Sequence, residues 1–63
     1  MTEGQRAALR AMLDEEAGLS PWKNLAYAEE CEDLGWAEAI GAGRFRITEA
    51  GRAAYAAAMA KDL

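Results

Sequence analysis

The sequence predicts a small α+β domain in the order helix, helix, β-hairpin, helix. Three observations lead there. The chain is 63 residues long, enough for one domain and no more. Helix-start residues stand at Thr2, Ser20 and Thr48, and Gly18 and Gly35 close the first two segments. Between Gly35 and Thr48 the apolar residues recur at every second position, which is the period of a strand.

The first helix is expected over 3–17. Thr2 and Gln5 have the spacing of a capping box, in which hydroxyl and amide each satisfy an orphan backbone donor. Leu9, Met12 and Leu13 follow as a narrow apolar stripe. The run Asp14-Glu15-Glu16 sits near the helix end, where the macrodipole disfavours anions. Such a placement means either tolerance by solvent or a use for the charge.

The second helix is expected over 21–34, with Ser20 as N-cap, Pro21 at the first helical position and Gly35 after the last. Tyr27, Cys31 and Leu34 share one side, while Trp22 and Leu25 point elsewhere. A helix with two apolar directions either bends near Ala26 or touches two neighbours. Cys31 reads as a small buried hydrophobe, since its local neighbours are acids and not the cations a reactive thiolate needs.

Strands are expected over 36–40 and 44–48, joined by Gly41-Ala42-Gly43. Trp36, Ile40, Phe45 and Ile47 would face the core, and Arg44 and Arg46 would face out. Thr48 then caps a third helix over 49–61, with Glu49 in its first turn and Arg52, Tyr55 and Met59 on one stripe. The rest of that helix is mostly Ala, which lets a neighbouring backbone come close. Gly51 fits the same close packing.

Composition narrows the function classes. Sixteen residues are Ala, so few large side chains remain to build the core, and stability is marginal or shared with a partner. With no His and one Cys, a Cys/His zinc site and Cys-His or Ser-His nucleophiles are excluded. The clustered carboxylates lack EF-hand spacing, and so short a chain offers no cleft to raise a carboxyl pKa for acid–base work. The chain is therefore expected to be no enzyme, with no cofactor and no metal. No apolar run approaches the roughly 20 residues of a membrane span, no signal segment is visible, and a cytoplasmic protein without membrane partners is expected.

Leu34-Gly35-Trp36-Ala37-Glu38 and Arg46-Ile47-Thr48-Glu49-Ala50-Gly51-Arg52 together resemble the wing region of winged-helix domains. There a helix ends in Leu-Gly, enters a strand, turns through the wing and returns to a Thr-x-x-Gly-Arg helix start. The resemblance covers about a third of the chain. It implies a recognition helix at 21–34 and a wing bearing Arg44 and Arg46. Only 17–20 separate the first two helices, so the implied frame is a trimmed one.

Charge then decides between partners. Residues 1–34 carry three basic and eight acidic groups, for −5; residues 35–63 carry four and three, for +1. Carboxylates on the element that would enter a DNA groove repel phosphates. The first reading is therefore a small acidic protein-binding module for a partner with a basic surface. Its acidic face would comprise Asp14, Glu15, Glu16, Glu29, Glu30, Glu32 and Asp33. It is similar in kind to phage-encoded inhibitors, such as anti-CRISPR proteins, that imitate DNA. Trp22, Leu25 and Tyr27 would supply an aromatic anchor, unless Trp22 packs inward. The alternative is a winged-helix DNA-binding regulator that touches nucleic acid through Lys23, Asn24, Arg44 and Arg46, as a homodimer.

Overall fold

The computed structural model describes residues 1–18, 27–41 and 43–60. Its elements are α1 (Glu3–Glu16), α2 (Ala28–Asp33), β1 (Ala37–Gly41), β2 (Arg44–Ile47) and α3 (Glu49–Ala60). The fold is α+β, in the order helix, helix, hairpin, helix. The start signals at Ser20 and Pro21 lie outside the described residues, as do Trp22, Lys23, Asn24, Leu25 and Lys61.

The local chemistry that marks the ends of α1 and α2 and the start of α3 is present atom for atom. Gln5 N–H donates to Thr2 Oγ1 at 3.1 Å, and Thr2 N–H donates to Gln5 Oε1 at 3.0 Å, completing the capping box of α1. Helix α1 ends at Glu16, with Ala17 as its C-cap and Gly18 at φ +73°. Helix α2 ends in paired bonds, from Gly35 N–H to Glu32 O at 2.9 Å and from Trp36 N–H to Cys31 O at 2.9 Å. These two bonds form a Schellman motif, which needs the left-handed φ of +82° found at Gly35. Thr48 Oγ1 accepts from Gly51 N–H at 3.0 Å and its hydroxyl donates to Gly35 O at 2.7 Å, so one residue caps α3 and ties it to the end of α2.

The core is Ala8, Leu9, Met12, Ala28, Cys31, Ala37 and Ile47, with Leu13, Trp36, Phe45 and Tyr55 packed at its margin. Three of its seven members are Ala, so backbones approach closely and little apolar volume is enclosed. Gly51 shows how closely: a Cβ there would collide with the Trp36 carbonyl oxygen and stand 2.8 Å from Ile47 Cγ1.

Two expected apolar faces differ from those observed. On α2, Cys31 is buried, but Tyr27 and Leu34 are 45% and 49% exposed. Tyr27 and Leu34 are the cap residues on either side of a six-residue helix, and the helix docks through the small pair Ala28 and Cys31 instead. On β1, Ala37 is buried while Ile40 is 50% exposed, the reverse of the expected alternation. The strand begins one residue later than expected, and Ala37 pairs with Ile47 and Ala39 with Phe45. A register shift between Ala39 and Gly41 leaves Ile40 unpaired on a bulge. Trp36 precedes the strand and is half-buried against the core. Arg44 and Arg46 are exposed, as expected.

Candidate partner-binding surface

Two groups of carboxylates belong to the expected acidic face, and their surroundings differ. The first stands at the end of α1. Asp14 is paired with Arg10, whose Nε donates at 3.1 Å across one helical turn. Glu15 is paired with Arg44 of β2. Glu16 accepts from Arg52 Nη2 of α3, at 2.6 Å to Oε1 and 2.5 Å to Oε2. Each acid of this run thus faces an arginine, and two of those arginines come from the other half of the chain. Glu15 is the most enclosed of the three, with its Oε2 buried and without a hydrogen-bond partner among the described residues.

These contacts raise the pKa of two of the arginines. Arg52 is raised chiefly by its hydrogen bond to Glu16. Arg10 is raised first by its hydrogen bond with Tyr55 and then by Asp14. Both remain cationic at any pH the fold meets.

The second group is on α2. Glu29, Glu30, Glu32 and Asp33 are all exposed on this one short helix. Glu30 Oε1 accepts from the buried amide of Gln5, Nε2 at 2.7 Å. Glu32 Oε2 accepts from Ala39 N–H at 3.2 Å. These donors are neutral, so they orient the two carboxylates without cancelling their charge. Glu29 and Asp33 have no ion-pair partner among the described residues. Positions three and four apart on a helix place their Cβ atoms about 5–6 Å from one another, so α2 carries a dense anionic patch.

The two described cations of the DNA-binding alternative are engaged within the domain. Arg44 is paired with Glu15, and Arg46 Nε donates to Glu38 at 2.9 Å across the hairpin. The Glu38–Arg46 contact follows from the strand register, which sets the two residues directly opposite one another. Tyr27 is exposed, and its ring lies against Gly4 of α1, where the missing side chain leaves it room. The other two members of the expected aromatic anchor, Trp22 and Leu25, lie outside the described residues, as do Lys23 and Asn24.

Three further residues shape this surface although the sequence does not mark them as part of it: Gln5, Glu38 and Arg52. Gln5 is legible as a cap residue but not as the donor that orients Glu30. Glu38 and Arg52 act through contacts between separate elements, for which spacing carries no signal. Among the described residues no three His, Cys, Asp or Glu side chains are placed to hold a metal ion. No helix among them is long and apolar enough to cross a membrane. No protein-family model, curated protein or solved structure matches the chain.

Proposed function

We propose that the protein is a small non-enzymatic binding module on a trimmed winged-helix-like frame. It docks on the basic, nucleic-acid-binding surface of another protein, in the manner of a phage-type inhibitor that imitates DNA. One contrast supports this reading most. The carboxylates at the end of α1 meet arginines of the same chain, whereas among the described residues those of α2 meet neutral donors or no ion-pair partner. The acidic face expected from the sequence is thereby concentrated on Glu29, Glu30, Glu32 and Asp33. A patch of this kind chiefly speeds association and selects partners by charge complementarity, and salt weakens it.

The experiment is a pair of fluorescence-anisotropy titrations at low salt, one against a labelled octa-arginine peptide and one against random duplex DNA. The expected result is salt-sensitive binding to the peptide and none to the duplex at about 10 μM protein, a concentration within the range of ordinary non-specific binding. Duplex binding that Arg44→Glu with Arg46→Glu abolishes would instead support the DNA-binding regulator.

A further inference from the structure

Helix α2 is held by little apolar cover. It is six residues long and buries only Ala28 and Cys31, while Tyr27 and Leu34 on either side are exposed. A helix that short has no stability of its own in water, so its order comes from its contacts. Prominent among them are the two small side chains, the Schellman bonds that close the helix, and two side-chain bonds. Glu30 accepts from Gln5 Nε2 at 2.7 Å, and Glu32 accepts from Ala39 N–H at 3.2 Å.

Its own charges work against that order. Glu29 with Glu32, Glu30 with Asp33, and Glu29 with Asp33 are like-charge pairs three or four residues apart. Such pairs stand about 5–6 Å apart at Cβ and weaken a helix. Glu29 and Glu30 lie in the first turn, where the macrodipole favours them. Glu32 and Asp33 lie at the other end, where it does not, and the last turn has no base to offset them. The ion pairs among the described residues do not reach α2. Opening the helix relieves the repulsion, because residues four apart in an extended chain are separated by about 13 Å.

We propose that the order of α2 is set by the charge placed against it: its own carboxylates loosen it, and several positive charges held together tighten it. A multivalent cation meets carboxylates gathered on the helix more closely than it meets them on the opened segment. Whatever binds the ordered form more tightly stabilises that form by the same factor. Binding at α2 is thereby linked to the folding of α2, and a basic partner that docks there orders its own binding site. The identity of that partner rests on the proposed function; the linkage does not, since any multivalent cation reports it.

Hydrogen exchange of the full chain tests the linkage at four amides, Cys31, Leu34, Gly35 and Trp36, which donate to the carbonyls of Tyr27, Glu30, Glu32 and Cys31. Raising sodium chloride from about 0.01 M to about 1 M shortens the screening length from about 30 Å to about 3 Å. The four amides are expected to slow by about threefold, the reverse of the quickening that screening of the Glu16–Arg52 pair brings to α3. Spermine at low salt is expected to slow the same four. Glu29→Gln/Asp33→Asn removes all three repulsive pairs and keeps the bonds of Glu30 and Glu32. Relative to the intrinsic rates of its sequence, that variant is expected to slow the four amides by about threefold to tenfold and to lose most of the response to spermine. Unchanged or faster exchange in salt, in spermine or in the variant overturns the proposal. So does slowing shared equally by the amides of α1, which would assign it to the net charge of the chain. Octa-arginine binding reads the charge of α2 whether or not the helix opens, so the proposed function stands or falls separately.

Discussion

Arg52 Nη2 donates to both oxygens of Glu16, at 2.5 and 2.6 Å, and so ties the first turn of α3 to the last residue of α1. Along the chain these residues belong to an acidic half and a slightly basic half. In space the basic half reaches over and offsets part of the acidic one, with Arg44 doing the same at Glu15. Of the acidic face expected from the sequence, the carboxylates with no ion-pair partner among the described residues lie on α2.

The Glu16–Arg52 contact is exposed, and exposed pairs contribute little to global stability. Its effect is expected to be local. In Glu16→Gln, hydrogen exchange of the α3 amides should quicken while that of β1 and β2 stays the same. Raising salt in the natural chain should act in the same direction. Uniform quickening across all elements would show that the contact supports the whole fold.

Gly4 and Gly51 are both helical glycines against which another residue packs, yet Ala substitution should separate them. At Gly51 the obstacle to a methyl group is the Trp36 backbone carbonyl, which also accepts from Thr48 N–H and so is held in place. Overpacking of this kind costs about 1–3 kcal/mol, which exceeds the roughly 1 kcal/mol that Ala gains over Gly in a helix. At Gly4 the obstacle is the ring of Tyr27, an exposed side chain free to swing away. Urea denaturation should show Gly51→Ala destabilised and Gly4→Ala unchanged or slightly stabilised. The reverse order would mean that Tyr27, not Trp36, is the fixed neighbour.

Thr48 and Thr2 are both N-caps, but Thr48 also donates to Gly35 O. Loss of a capping hydroxyl costs about 0.5–2 kcal/mol. Thr48→Ala should fall at the upper end of that range and Thr2→Ala at the lower, as read from denaturation midpoints. Equal losses would remove any special part for the Thr48–Gly35 bond.

Cys31 is fully buried, and its Sγ lies 3.8 Å from Gln5 O, to which the thiol donates. Desolvation raises its pKa above the ordinary 9.0, with the charge of Glu30 adding to the shift. The folded chain thus keeps a proton that the unfolded chain gives up from about pH 9 upward. The stability linked to this thiol is complete below that pH and is lost as pH rises toward the folded value. Cys31→Ala should flatten the decline in stability between about pH 8 and 10, measured by urea denaturation across the range. An unchanged slope would assign that decline to other groups.

What is legible in the sequence and what is not divide along the range of the interactions involved. Thr2 with Gln5, Gly35 at the end of α2, and Thr48 with Gly51 act within a few residues, so their spacing reveals them. The helix-helix-hairpin-helix order follows from those signals. The side chains that face inward on β1 do not, because the bulge at Ile40 and the late strand start depend on pairing with β2. Tyr27 and Leu34 look like members of an apolar stripe only if α2 extends through them, and it stops short of both. The acidic residues look like one surface along the chain because Glu15 and Arg44 are 29 positions apart in the numbering, and nothing local announces their pairing.

In the proposed function it is α2, and not the end of α1, that holds the carboxylates a basic partner meets. Two charge-matched variants, Glu29→Gln/Glu32→Gln/Asp33→Asn and Asp14→Asn/Glu15→Gln/Glu16→Gln, each remove three negative charges. Their affinities for the octa-arginine peptide, measured by anisotropy at one low salt concentration, separate the two helices. The α2 variant is expected to bind at least about tenfold more weakly than the natural chain, a loss of about 1.4 kcal/mol, and the α1 variant less than about threefold. Equal losses in the two, or a larger loss in the α1 variant, would contradict it.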